Sequence, residues 1–441
     1  MKKKGKLKIM RDQRNINIPV AAAVMAIILF LSGEDVAAQV KCEWPGFHGR
    51  DRTNKSTETG LLKEWPANGP KLVMTIEGLG EGYSSVAIAD GLIYTAGSVK
   101  NQPWIFAFNL QGKLVWKSMN GKAWSTSSPW ASSYTGPRST PLCNDGIVYH
   151  LGEMGRLAAF DSKTGRELWH RDLMEEFGAA VPEYGYAESV AADGDKLYVR
   201  PAGKKGHQIC INKKTGKLVW ANTEIPGAEG YTSPVIAEAG GYRQVFGASA
   251  VCYYGADALT GKLLWTVSVR NQQLCNIPDV IVHNDYVFIA SGYGFGSMLL
   301  RLKASGNGVV PEKVWQSSLM DNHHGGVILH NGFLYGSGHR ASRGWHCIDF
   351  MTGKQRWKAA NEEGCITFAD GMLYTLEQRG IMRLVSATPD KYEVKGEFRV
   401  PPGGRDMYWA HPVVCGKRLY IRHANKIFVY DISAGSQKKI Q

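Results

Sequence analysis

The eight cysteines of this chain include no adjacent pair and no Cys-x-x-Cys, so the sequence shows no local framework of paired thiols. No Gly-x-Ser-x-Gly elbow follows a strand and precedes a helix, which removes the usual signature of an α/β hydrolase. Long stretches with a 3.6-residue apolar period are missing, which excludes a helical solenoid. Long apolar runs are missing too. The longest, Val20 to Leu31, has twelve residues and is short for a bilayer span. No paired arginines precede it and no cysteine follows Leu31-Ser32-Gly33, so neither a twin-arginine nor a lipoprotein signal is present.

What is there begins with a basic start (Lys2, Lys3, Lys4, Lys6, Lys8, Arg11, Arg14), that apolar run, and small residues at Ala37 and Ala38. This is the order of a secretory signal peptide, expected over residues 1–38, with an uncleaved anchor as the alternative. The product would be periplasmic or secreted, and peripheral to the membrane at most. Residues 1–38 hold seven Lys or Arg and three acids; 45 basic and 36 acidic residues remain, a formal charge of +9. That excess is spread along the chain rather than gathered into a stripe, so no nucleic-acid partner is expected. With 44% hydrophobic and 21% charged residues the composition is globular, and 51 glycines point to many turns and β structure.

The β signal is clearest in Gly155 to Trp169. Leu157 to Phe160 form a strand, Asp161 to Gly165 a turn in which Gly165 supplies positive φ, and Arg166 to Trp169 a returning strand. The hairpin recurs. Thr-Gly-Lys or Thr-Gly-Arg, two residues and Trp stand at 164–169, 215–220, 260–265 and 352–357, with variants at Trp116 and Trp315. A second mark is a strand ending in an aromatic, often after Asp-Gly or Asn-Gly: Tyr94, Tyr149, Tyr198, Phe246, Phe288, Tyr335, Tyr374 and Tyr420. The intervals of 39 to 55 residues, with room for four short strands each, match a β-propeller blade. The eighth copy stops without its Trp strand. Lys71 to Ile76 reads like Lys262 to Val267, with Met74 in the Trp place. The expectation is therefore all-β: eight four-stranded antiparallel blades over 71–435, closed by an N-terminal strand completing the last blade, after a leader at 39–70 and before a tail at 436–441. Cys210 and Cys347 stand two residues before a turn Asn or Asp, as small core residues do, so four disulfides are not expected.

The repeat Ala159 to Trp169, and more loosely Cys210 to Trp220, resembles the PQQ-like (pyrroloquinoline-quinone-like) β-propeller repeat of quinoprotein alcohol dehydrogenases and of BamB. The leader Trp44 to Arg52 with Gly82-Tyr83-Ser84-Ser85 resembles that of exported members from environmental bacteria. The BamB likeness implies a monomeric, non-catalytic scaffold that binds an envelope protein or glycan, with no cofactor. The alternative is a PQQ-dependent alcohol or sugar dehydrogenase. That resemblance would imply adjacent cysteines, a calcium site and an Asp base, and no catalytic residue carries over by position.

Function is expected in the loops entering the innermost strands, which differ from blade to blade and gather at the channel mouth. The residues expected there are Glu81, Tyr83, Ser84, Arg138, Tyr184, Tyr186, Glu188, Glu229, Tyr231, Asp321, His323, His324, Arg405, Tyr408, Trp409 and His411. The competing reading is that the Gly-Tyr-Ser pieces only pack blade on blade. No metal site is expected, because His323 and His324 as neighbours on an extended strand would point apart. The insertion 118–139, carrying Trp124, Trp130 and Tyr134, is expected as surface decoration, with a cap over the channel as the alternative.

Overall fold

The Asp-Gly and Asn-Gly marks form two-residue turns with both central residues at positive φ: Asp90/Gly91 at 52° and 75°, Asn331/Gly332 at 49° and 82°. That conformation matches the twist of the strands it joins. The Thr-Gly turns are held by their own side chains. Asp161 Oδ1 accepts from the Thr164 backbone N–H (2.9 Å) and hydroxyl (2.8 Å), while Gly165 takes φ 70°. Asn212, Asp257 and Asp349 repeat this arrangement.

In the computed structural model, which describes residues 43–306, 308–359, 362–405 and 407–435, these hairpins assemble into eight antiparallel sheets. Blades 1 to 7 span 87–119, 142–172, 191–222, 235–268, 281–317, 327–359 and 364–399. Blade 8 combines Val413–Cys415, Arg418–His423 and Lys426–Asp431 with the N-terminal strand Lys71–Glu77 as its outermost member. Joining the two ends in one sheet leaves no open edge in the ring. The described residues contain one short helix, Leu173–Phe177. The expected signal segment and the tail at 436–441 lie outside the described residues.

Every outermost strand carries a register shift just before its Trp or the equivalent residue. Such a bulge re-aims the following side chain, and here the Trp lies across its own strand aromatic: Tyr94–Trp116, Tyr149–Trp169 and Tyr198–Trp220 each have ring centroids 6.0 Å apart. The indole N–H then donates to a backbone carbonyl in the next blade's turn, from Trp116 to Ser162 (2.8 Å), Trp169 to Lys213 (3.1 Å) and Trp220 to Ala258 (3.2 Å). The turn glycine lies flat beneath the ring. A methyl group on Gly216, at φ 67°, would stand 2.9 Å from Trp169. In blade 8, Met74 occupies the Trp place and packs on Gly112 of blade 1. Gly216→Ala is expected to lower stability by about 2 kcal/mol, from positive φ together with the ring contact; thermal unfolding would measure it, and an unchanged midpoint would contradict this account of the interlock.

Around the channel the innermost segments form a second, polar interlock. Ser85 N–H donates to Thr140 Oγ1 (3.0 Å), Thr140 N–H to Ser189 Oγ (2.8 Å), Ser189 N–H to Ser233 Oγ (3.0 Å) and Ser233 N–H to Asp279 Oδ1 (2.6 Å). Each blade thereby satisfies a buried backbone donor of the one before it. The leader belongs to this inner layer: Lys55–Ser56 pairs in parallel with Gly364–Ala369, and Trp44 bridges Ile88. Cys143, Cys210, Cys252, Cys275, Cys347 and Cys365 are free and buried, whereas Cys415 is disulfide-bonded.

Candidate functional site

Loops that enter the first strand of a blade share an end of the ring with the loops joining its second and third strands. At that end lies a cavity of about 430 Å³. Eight expected residues line it: Tyr83, Arg138, Tyr184, Tyr231, His323, His324, Trp409 and His411. Trp409 is the hub of one wall, with Tyr134 at 5.0 Å, Tyr83 at 5.2 Å and His324 at 4.9 Å between ring centroids. Tyr184 and Tyr231 meet edge to face at 6.0 Å on another side. Ser85 and Ser233 serve the interlock while Tyr83 and Tyr231 beside them line the cavity, so the packing reading holds for one side chain and the lining reading for its neighbour.

The insertion 118–139 helps build the wall and is more than surface decoration. Its end is tied down where Tyr83 and Ser84 N–H both donate to Pro137 O (2.8 and 2.9 Å). Trp130 and Tyr134 line the cavity, and buried Trp124 lies beneath Arg138. The Arg138 guanidinium sits over the Tyr83 and Trp124 rings and donates to Tyr134 O (2.6 Å). Among the described residues it has no carboxylate partner. Burial lowers its pKa, with Tyr83 and Glu153 opposing the shift.

The other eight expected residues are elsewhere or in other roles. Glu188 and Glu229 are buried on Arg200, whose Nη2 lies 3.1 Å from each carboxylate; an arginine straight after the apolar strand Lys196–Val199 should have flagged this, since it must be paired if buried. Tyr186 is core and donates to Pro201 O (2.8 Å). Ser84 is buried against blade 1, where Ala96 N–H donates to its Oγ (3.1 Å). Asp321 is fully buried and clamps a loop, accepting from the backbone N–H groups of His339, Ala341 and Ser342 (2.8–3.0 Å). Tyr408 stacks on His423 at 3.6 Å. Arg405 is exposed away from the cavity, and Glu81 bonds Thr135 in the insertion.

The lining also includes Phe47 and His48 of the leader, Glu363 of the loop entering blade 7, and Asp279, Tyr293, His339 and Arg340, which sequence reasoning passed over. His48 lines both this cavity and a second one of about 440 Å³, so the leader partitions the channel. Asp279 was findable, because it occupies the interlock position of Ser85, Ser189 and Ser233. Tyr293 and His339 lie just after second strands, in loops that open on the same mouth as those entering first strands.

Histidines run across the cavity in a connected series. His48 and His411 rings are 3.1 Å apart, His411 Nε2 contacts His324 O at 2.8 Å, and the His323 and His324 Nδ1 atoms are 2.9 Å apart. The expectation that the His323 and His324 rings diverge is overturned. They lie in the turn before Val327–His330 rather than on a strand, and their centroids are 4.8 Å apart. His323 stacks on His339 at 4.5 Å, and His339 Nδ1 lies 2.5 Å from Glu363 Oε2. Burial lowers the pKa of His48, His323, His324 and His411, to about 4 for His323 and about 3 for His411. Burial would raise Glu363, but the hydrogen bond and charge of His339 outweigh it and hold the carboxyl below its ordinary value.

Eight interlocked four-stranded blades around a channel partitioned by its own leader define a β-propeller with an aromatic, histidine-rich cup at one mouth. The chain belongs to the PQQ_2 family, described as outer membrane protein assembly factor BamB, whose model matches residues 101–388. It is 31% identical over 144 residues to quinohemoprotein alcohol dehydrogenase ADH IIB of Pseudomonas putida, a match covering 30% of this chain and 20% of that protein's length. Among solved structures, BamB from Moraxella catarrhalis superposes with a TM-score of 0.57 at 15% identity, covering 82% of this chain and 97% of that one. A europium-containing methanol dehydrogenase gives 0.64 at 12% identity, with 87% and 89% covered. Identities this low establish a shared fold and leave the site to its own residues. No helix among the described residues is long and apolar enough to cross a membrane.

Proposed function

We propose that this propeller is an exported, non-catalytic binding protein of the cell envelope whose cup receives an acidic glycan. The observation that carries the reading is Arg138, a half-buried guanidinium at an aromatic-lined cavity with no carboxylate partner among the described residues. A carboxylate on the ligand would supply that partner. The rings of Trp409, Tyr134, Tyr184 and Tyr231 offer flat faces to the apolar sides of sugar rings. The basic, apolar N-terminus and the kinship with an outer-membrane assembly factor support export.

Kinship with quinoprotein dehydrogenases favours the second reading, and the donor set does not fit it. Calcium takes six to eight oxygen ligands. The cup's carboxylates are Asp279, occupied by Ser233 N–H, His48 and Arg52, and Glu363, occupied by His339. Cys275 lines the cup without an adjacent cysteine, and Asp279 as an interlock member is not poised as a base.

Titration of Trp fluorescence with oligosaccharides of uronic acids and of neutral hexoses tests the proposal. Saturable quenching by the acidic series is expected, weakened about tenfold to a hundredfold in Arg138→Gln, the worth of one charge-assisted hydrogen bond. Equal response to both series would remove the role of Arg138. Dye-linked alcohol oxidation on adding the quinone and calcium would establish the dehydrogenase instead.

A further inference from the structure

His323, His339 and Glu363 come from three separate chain segments, and close backbone packing brings them together. His323 stands in the turn before the first strand of blade 6, His339 follows its second strand, Phe333–Gly338, and Glu363 precedes the first strand of blade 7. A methyl group on Gly325 would collide with the Gly364 carbonyl, so the absence of a side chain at Gly325 sets this approach of adjacent loops. Asp321 fixes the backbone at His339 from below.

One donor atom from each of the three side chains lies within 4.8 Å of both others. Three donors on a single zinc ion, at bonds of about 2.0–2.2 Å, stand roughly 3.3–3.6 Å apart, so small side-chain rotations close the set. His339 Nε2 is buried and has no hydrogen-bond partner among the described residues. Two imidazoles and a carboxylate suit first-row transition ions, whereas calcium would want more oxygens.

We propose that His323, His339 and Glu363 form a binding site for one divalent transition-metal ion on the wall of the cup, with the remaining coordination position facing the cavity. Tyr293, whose hydroxyl lies 2.9 Å from His323 Nε2, orients that ring. Asp321 is a positioning residue, since it holds the loop that presents His339. The site is independent of the glycan reading, because Arg138 and the Trp409 wall contribute none of its donors.

The test is titration of the chelator-stripped full chain with zinc chloride in competition with a chromophoric chelator, repeated with cobalt chloride read in the visible. One equivalent of zinc is expected to bind, with a cobalt spectrum typical of nitrogen and oxygen donors and a rise in melting temperature on adding zinc. Glu363→Gln and His339→Gln are each expected to weaken zinc by about a hundredfold. His170→Gln, at an exposed imidazole paired with Glu167, should leave the affinity unchanged. Glu363→Gln preserves side-chain volume, and its unchanged melting temperature without metal would show that lost binding is not lost folding. Absence of saturable binding overturns the proposal, as does zinc affinity that survives both substitutions.

Discussion

Replacement of Arg200 by methionine is expected to cost about 3–5 kcal/mol in urea unfolding at pH 7, the largest loss foreseen for a single side chain here. Arg200 is fully buried between Glu188 and Glu229. It also donates to Gly230 O (2.9 Å), Thr232 O (2.7 Å) and Thr232 Oγ1 (3.1 Å), so it ties blade 3 to the loop entering blade 4. Burial raises both carboxyls above their ordinary value, and the charge of the shared guanidinium offsets only part of that shift. Without it, two buried carboxylates face each other with no counter-charge. The loss should shrink in acid, where the carboxyls protonate, and a companion variant with Glu188→Gln and Glu229→Gln should recover much of it. A loss below 1 kcal/mol at pH 7 would show that the trio adds little to stability.

Glu153 should give the clearest pH signature. It sits beneath the insertion and accepts from the Trp124 backbone N–H at 2.6 Å, while its other oxygen has no hydrogen-bond partner among the described residues. Burial raises its pKa from 4.5 to about 7, outweighing the Trp124 hydrogen bond and the Arg138 charge. Between those values the folded chain holds a proton that the unfolded chain has released, so stability falls as pH rises through this window. At about 1.4 kcal/mol per unit the full effect is about 3 kcal/mol, absent below pH 4.5 and complete above pH 7. Glu153→Gln removes the ionisation. The stability of this variant relative to wild type is therefore expected to rise by about 3 kcal/mol between pH 4.5 and pH 8. A difference that stays constant with pH would mean Glu153 keeps an ordinary pKa.

Much of the site was within reach of the sequence, and the misses have specific causes. Tyr83, Tyr231 and Trp409 were found because their loops precede a recognisable inner strand. Glu188 and Glu229 stand in equally suitable loops, yet they turn inward, because a buried cation 12 and 29 residues away claims them. His323 stands in a loop legible as part of the mouth, and His339 does not. His339 and Glu363 reach it only through the curvature that sets blades 6 and 7 side by side.

The sequence by itself determined the blade: its period, its Asp-Gly and Thr-Gly turns, its Trp, and the place where Met74 stands in for one. These are local rules of turn conformation and alternating burial, legible wherever the same residues recur. Only the tertiary structure decided what the cup contains. Its lining comes from the leader, the insertion and the loops of seven blades. Whether a Tyr, His or Glu in such a loop faces ligand, neighbour or core depends on contacts hundreds of residues apart, such as His48 with His411, which no local pattern encodes.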